Sequence, residues 1–409
     1  MVGAGPAGSA AAHALARAGA DVLLLDRACF PRDKACGDGV APHAVAILRD
    51  MGIDFDAFEG SGRKTYGGLI AGPGGGWFQA DPPVAEGGVR PESWIVPRTV
   101  LDHRIVRAAV SAGARLREGA RVDALASRRG FVTGVETHDG HAVRRVSAKV
   151  VIGADGAHSM VAKALGYGDN PPRHLGYALR AYYEGVDDLR DDMELYYYSR
   201  AMLPGYGWVF PTGPASANVG IGIYVGEMRR HPLKLPAILD DFIASVPRAR
   251  ERFTRARRIG ALAGWPLPVS SVNRPTVFDG AMLAGDAASL VDPLTGEGIW
   301  TALVSGRSAA RAALESLRSG DASRQALGSH EREWRATAGG YLASGRVLKN
   351  LAKSAKLFDL IVRRASESPY YAARAIGYGL GILERRRALR SIVLRAIFNP
   401  SFFRWRAAL

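Results

Sequence analysis

Apolar residues recur along this 409-residue chain with two different periods. Residues 10–18 read as a helix. The apolar run at 22–25 ends in Asp26 and reads as a strand over residues 21–26. Residues 42–51 place apolar side chains at Val45, Leu48 and Met51, and residues 98–112 place them at Val100, Leu101, Ile105, Val106 and Ala109. Spacings of three and four put one apolar stripe on a helix, so both segments are expected to be helices with one buried face. Short strands are expected at 121–125, 130–137 and 142–146, and a buried-type strand at 149–152. Alternation takes over at 177–183, 193–198, 207–210 and 217–224, which predicts a sheet with one lined face and one wet face. An apolar run at 281–284 precedes a helical pattern over 296–317, and helical patterns dominate from Ser319 onward. Between Gly60 and Pro97 the chain is glycine-rich and aromatic, with Tyr66, Trp77, Phe78 and Trp94, and reads as strand and loop.

The first turn carries chemistry. Gly3-Ala4-Gly5-Pro6-Ala7-Gly8 lies between a strand end and a helix, and Asp26 closes the next strand. The first glycine allows the tight turn, the second lets a pyrophosphate approach the backbone, and the third lets helix and strand pack closely. The turn amides and the helix N-terminus favour an anion. An acid about 20 residues past such a turn grips a ribose 2′-hydroxyl, and Asp26 stands in that place. Only Met1 and Val2 precede the glycines, so either the strand leading into the turn is unusually short or further native residues precede Met1.

Segments of this dinucleotide type recur, with other sheet material between them. The expected organisation is an α/β dinucleotide-binding domain from residues 1–60, 98–165 and 265–318, and an inserted antiparallel-sheet substrate domain from 61–97 and 166–264. A helical region at 319–409 follows. Hydrophobic residues make up 47% of the chain and charged residues 23%, a balance that suits a globular protein of two or three domains. No apolar stretch of about 18 residues occurs, so no transmembrane helix is expected. No basic leader segment precedes the first turn, so no secretory signal is expected either. Cys29 and Cys36 form neither a disulfide framework nor a zinc set, and no His/Asp/Glu cluster has metal-ligand spacing. A reducing cytoplasm is the expected location.

The net charge is +15, and from His330 to Leu409 sixteen Lys and Arg face five acids. Such a basic end suits a solvated helical face or an anionic surface. Arg346, Lys349, Lys353 and Lys356 are expected on one helical face, and Leu348, Leu351, Ala355, Phe358 and Val362 on the opposite one. That face is a candidate for peripheral contact with anionic membrane. Nucleic acid has only charge in its favour, with no recognised module, and is not expected as a partner.

Two further segments have glycines beside an acid after a buried strand: Gly153-Ala154-Asp155-Gly156 and Gly285-Asp286-Ala287-Ala288. The second continues into Pro293-Leu294-Thr295-Gly296-Glu297-Gly298. Such acids can accept hydrogen bonds from ribityl or ribose hydroxyls. A glycine turn at a helix start offers amides to a flavin edge where negative charge gathers on reduction. The order of the three elements resembles FAD-dependent oxidoreductases of the glutathione-reductase-like, p-hydroxybenzoate hydroxylase type.

Within that group, Pro204-Gly-Tyr206-Gly-Trp208-Val-Phe210-Pro211 resembles the PxxYxWxFP signature of geranylgeranyl reductases, and Lys34-Ala-Cys36-Gly37-Asp38-Gly39 resembles their KxCGxG loop. The resemblance implies FAD bound by Gly3, Gly5, Pro6, Ala7 and Gly8, with Asp26 and Arg27 at the adenosine ribose. It implies Arg98, Cys36, Gly37 and Asp155 near the cofactor, and Gly285 and Asp286 on the ribityl-pyrophosphate segment. Pro293, Gly296, Gly298 and Ile299 are implied at the ring. It also implies a prenyl-lipid or prenylated substrate in a pocket walled by Tyr206, Trp208 and Phe210, whose alternation on a strand puts three aromatics on one face. NADPH or another reductant would bind transiently, because the chain has no second GxGxxG unit. The expected activity is saturation of carbon-carbon double bonds of a prenyl chain by hydride from reduced flavin plus a proton, with Cys36, Tyr206 and Trp208 as catalytic candidates. The competing readings on this fold are an aromatic hydroxylase and a halogenase. Halogenases carry WxWxIP where this chain has Tyr206-Gly-Trp208-Val-Phe-Pro. A non-catalytic prenyl carrier of the Rab escort type would lack flavin, and a hydrolase would need a GxSxG elbow that is absent.

Overall fold

The computed structural model describes residues 1–383 except 59, 85–89 and 139–142. Residue 142 of one expected strand, and the part of the basic helical region beyond 383, lie outside the described residues.

Apolar triplets build the first sheet. Leu23–Leu25 pairs in parallel with Arg115–Arg117, and Val151–Gly153 with Ala281–Leu283, which is flanked in turn by Val277–Phe278. Val2 joins the two halves through parallel bridges to Leu25 and Gly153. The two residues ahead of the glycines therefore lie at the centre of the sheet. A parallel sheet is buried on both faces, which is why these strands read as continuous apolar runs. Helices Pro6–Arg17, Arg98–Ser111 and Ile299–Ser319 belong to this layer. The first starts at Pro6, ahead of the residue-10 start expected from periodicity. Proline at a helix start loses no needed N–H and already has the helical φ.

The second layer is a seven-stranded sheet in the order Arg257–Pro268, Leu175–Glu184, Ser216–Tyr224, Tyr206–Pro211, Asp192–Tyr196, Gly67–Ala71, Trp77–Ala80. Neighbours run antiparallel except Asp192–Tyr196 beside Gly67–Ala71, which run parallel, so the sheet is mixed rather than antiparallel throughout. Hairpins force antiparallel neighbours. Gly67–Ala71 reaches its place by a long route and has no such constraint. Residues 61–97 are divided between two sheets. Arg63–Thr65 and Ser93–Ile95 form a small sheet with Gly39–Val40, whereas Gly67–Ala71 and Trp77–Ala80 join the large one.

One face of the large sheet buries Tyr196, Val209, Val219 and Ile221 against Phe242 and Leu239 of the helix Leu235–Ser245, which the periodicity did not predict. The opposite face looks toward the parallel layer.

The C-terminal helices are Ser329–Leu351, Ala355–Ser366 and Pro369–Gly379. The continuous amphipathic face expected over 346–362 is not present. The helix stops at Leu351, and Ser354 caps a new one by accepting the Leu357 N–H. Lys349 is buried with its ammonium 4.6 Å from the centre of the Tyr224 ring, whereas Leu351 is exposed. No described helix is long and apolar enough to cross a membrane.

Candidate active site

The glycine turn is shaped by what cannot fit there. Gly3 has φ 92°, a left-handed conformation that favours glycine. A β-carbon on Gly8 would come 1.9 Å from the Gly3 carbonyl oxygen, whereas one on Gly5 would meet only an Arg32 guanidinium nitrogen at 3.9 Å. Gly8 therefore serves close packing, and Gly5 leaves open space over the helix start. No side chain caps the helix Pro6–Arg17 at Gly5, so its first amides remain free for an anion. Asp26 anchors the turn by accepting the Ala4 N–H at 2.7 Å and the Ala28 N–H at 2.9 Å.

From this cradle a continuous cavity of about 850 Å³ extends to the aromatic face of the large sheet. Its walls bring together Gly3, Gly5, Pro6, Ala7, Asp26 and Arg27 with Cys36, Gly37, Arg98, Asp155, Gly285 and Asp286. Gly296, Gly298, Ile299, Tyr206, Trp208 and Phe210 line it as well. Gly8 and Pro293 are not in the wall. Gly8 packs beneath the turn, and the Pro293 carbonyl accepts the Tyr224 hydroxyl at 2.5 Å. The open cradle, the uncapped helix start and the acid beside it fit the pyrophosphate and ribose of FAD.

Around the middle of the cavity charges are paired. Arg98 donates twice to Asp102, at 2.8 and 2.9 Å, and Arg32 adds a third contact at 2.9 Å. Burial works against the Arg98 charge, but the Asp102 carboxylate outweighs it and holds the guanidinium firmly protonated. Lys34 lies 3.2 Å from Asp286, so the KxCGxG loop touches the Gly285-Asp286 turn. Burial pushes the Cys36 thiol up, against the pull of Arg98, and keeps the sulfur protonated. Asp155 accepts the Ser159 hydroxyl at 2.5 Å and the Val161 N–H at 3.1 Å, so its carboxylate is already engaged at the next helix start.

The aromatic wall follows from sheet register. Opposed residues in a sheet share a face. One row runs Arg180, Gly220, Trp208, Leu195, Ile70, Phe78; beside it Tyr182, Asn218 and Phe210 are paired, as are Met193, Gly68 and Ala80. Ala178, Gly222 and Tyr206 belong to a further row. Met193, Leu195, Ile70 and Gly68 carry the cavity past the aromatics to Tyr341, Ile376 and Leu380 of the C-terminal helices. These continuation residues lie outside every motif in the sequence, and period-two alternation signalled only Met193 and Leu195 among them. The Tyr206 hydroxyl donates to the Thr295 carbonyl, tying the sheet to the turn before Gly296. Its hydroxyl hydrogen is therefore directed at that carbonyl.

Residues 1–343 match the family of FAD binding domains. A menaquinone reductase of Mycobacterium tuberculosis is 38% identical over 319 residues, covering 76% of this chain and 74% of that protein. A digeranylgeranylglycerophospholipid reductase of Methanosphaerula palustris is 31% identical over 370 residues, covering 90% and 86%. Among solved structures, a geranylgeranyl bacteriochlorophyll reductase-like protein from Thermoplasma acidophilum superposes with TM-score 0.81 at 28% identity, covering 93% of this chain and 94% of that one. A flavin-dependent brominase shares the fold at TM-score 0.78 and 20% identity, covering 96% and 98%. With an FAD cradle that opens into an aromatic-walled cavity and relatives of this kind, the chain is an FAD-dependent oxidoreductase and belongs to the geranylgeranyl reductase family.

Proposed function

We propose that this protein saturates carbon-carbon double bonds of a prenyl chain. The carrying observation is the single cavity that joins the glycine cradle to an apolar corridor walled by Tyr206, Trp208, Phe210, Leu195, Met193 and Ile70. A polyisoprenoid chain is long, flexible and apolar, and such a corridor suits it.

An isolated alkene does not accept hydride, so the carbon must first gain positive character from a proton. FAD, once reduced by NADPH or another reductant in a transient encounter, would supply the hydride when bound here. The residues of the chain supply the rest. Aromatic faces favour a developing cation in a dry site. Cys36, half-buried and held as a thiol, is the proton source at its sulfur. Arg98 then stabilises the resulting thiolate. Asp26 and the Gly3–Gly8 turn bind the adenosine end, and Asp286 and the Gly296–Gly298 turn orient the opposite end. Contact with an anionic membrane remains part of this reading, carried by the exposed Arg346 and Lys356 rather than by Lys349.

The test is anaerobic reduction of the purified flavoprotein, followed by prenyl lipids and quinones with mass detection. The expected product gains two hydrogens per reduced double bond, and Cys36→Ala lowers its formation by about 100-fold. Oxygen consumption with an aromatic substrate and no gain of hydrogen by any prenyl compound would overturn the reading.

A further inference from the structure

Two motifs far apart in sequence, the loop 34–39 and the strand Tyr206–Pro211, meet through a residue that belongs to neither. Asn218 is fully buried. Its Oδ1 accepts the Trp208 Nε1–H at 2.9 Å. Its Nδ2 donates to the Cys36 carbonyl at 2.8 Å and to Asp38 Oδ2 at 2.8 Å. The Tyr182 hydroxyl donates to the same Asp38 oxygen at 2.5 Å. Asp38 sits in a left-handed turn with φ 63°, and its Oδ1 has no hydrogen-bond partner among the described residues. Gly220 lets the arrangement close, because a β-carbon there would lie 2.3 Å from the Trp208 indole that leans across it. Gly37 does the same on the loop side, where a β-carbon would lie 3.1 Å from Phe210 and 3.5 Å from Trp208 Nε1.

We propose that Asn218 and Asp38 are positioning residues for the reduction: together they fix the Cys36 loop and the Trp208 indole in one register on either side of the reacting carbon. The inference rests on the reading that Cys36 and Trp208 act there. Only a carboxamide meets the demand at 218, because the site needs one acceptor toward an indole and two donors toward oxygens. A carboxylate keeps the acceptor and loses both donors. It would also put a second negative charge beside Asp38, and two carboxylates sharing one site hold a proton between them. The charged and titratable groups around Asp38 are Tyr182 and Arg180 on the strand Leu175–Glu184, Arg98 on its helix, and Cys36 in the same loop.

This makes Asn218→Asp a reversible lesion. With the FAD-loaded protein and a prenyl substrate that the wild type reduces, the measurement is kcat and KM from pH 5.5 to 8.5 for wild type, N218D and N218L. At pH 8.5 both variants are expected to lose at least about tenfold in kcat with little change in KM, since a charged or buried hydrogen bond is worth roughly that much. As pH falls, N218D takes up the shared proton, regains a donor and recovers most of the loss, whereas N218L stays low throughout. The thermal midpoint of the same holoenzymes, read over the same pH range, follows the network without reference to activity. N218D is expected to approach wild type only at the acid end. A midpoint that recovers while kcat does not, or equal pH-independent losses in N218D and N218L, overturns the positioning role. If the wild type reduces no prenyl compound, the function reading fails instead, and the midpoint still reports whether residues 38 and 218 share a proton.

Discussion

Ile376 lies directly on Gly68: a β-carbon added to that glycine would come 3.1 Å from the isoleucine Cδ1. Gly68 is paired with Met193 in the sheet, and both Gly68 and Ile376 line the cavity. The helix Pro369–Gly379 therefore walls the corridor at its far side. Gly68→Val is expected to shorten the longest prenyl chain accepted, and Ile376→Ala to lengthen it, at unchanged kcat for the shortest substrate. Product profiles over chains of two, three and four isoprene units check this, and an unchanged length cutoff in both variants would remove this contact as a stop.

Two buried groups give stability opposite dependences on pH. Burial pushes the Asp38 carboxyl up to about 6 from 3.8, so the folded protein keeps a proton that the unfolded chain has lost. Stability from this group is full below the unfolded value and declines as pH rises through 6. Burial pushes His330 down to about 4 from 6.5, its ring held between the Ser308 hydroxyl and the Leu283 carbonyl. Here the unfolded chain binds the extra proton, and stability is lost as pH falls from 6.5 toward 4. The two slopes largely cancel. Asp38→Asn is expected to unmask the histidine slope, with denaturant midpoints rising steadily from pH 4.5 to 6.5, and His330→Gln to unmask the reverse slope.

Helix Ile299–Ser319 approaches the cofactor helix through Gly306, where a β-carbon would lie 2.2 Å from the Ala7 carbonyl oxygen. Gly306→Ala adds helix propensity yet must push the two helices apart. A net destabilisation of about 1–3 kcal/mol is expected. Because Ala7 lines the FAD cavity, the purified variant should also hold less flavin per chain, read from the absorbance ratio. Full flavin content with wild-type stability would show that the helices separate freely.

Arg252 and Glu194 form an ion pair at 2.7 Å on the face of the large sheet turned away from the cavity, with Tyr196 donating to the same carboxylate at 2.6 Å. Removing one partner strands a buried charge. Arg252→Met is expected to cost about 3–5 kcal/mol, and Arg252→Met with Glu194→Leu to recover most of it. Chemical unfolding of the three proteins is the measurement, and reductase activity per folded molecule should not change.

Legibility from sequence followed the locality of the signal. The turn from Gly3 to Gly8, the acid at 26 and the aromatic alternation at 206, 208 and 210 are compact patterns, and the structure brings all of them to one cavity except Ala4 and Gly8. Gly8 acts one layer below, in packing that a motif does not distinguish from lining. Non-local elements were harder. Nothing near residue 67 announces that Gly67–Ala71 will run parallel to Asp192–Tyr196, because register between distant strands depends on the whole sheet. Asn218 was hidden for a related reason. It is an ordinary polar residue inside an apolar strand, and its partners at 36, 38 and 208 are visible only once the strands are paired. The amphipathic reading of 346–362 failed because the pattern assumed one straight axis, whereas Ser354 begins a new one.

The bridge from Val2 to Gly153, with Ala281–Leu283 beyond it, has a temporal consequence. The central layer cannot close until the ribosome has passed the helix Ile299–Ser319, which packs on the very first helix. At ordinary elongation speeds the newborn N-terminal segment waits on the order of tens of seconds with its oily flanks bare. Holding chaperones would find their substrate in that interval, and slowing translation late in the message should send more of the product into inclusion bodies.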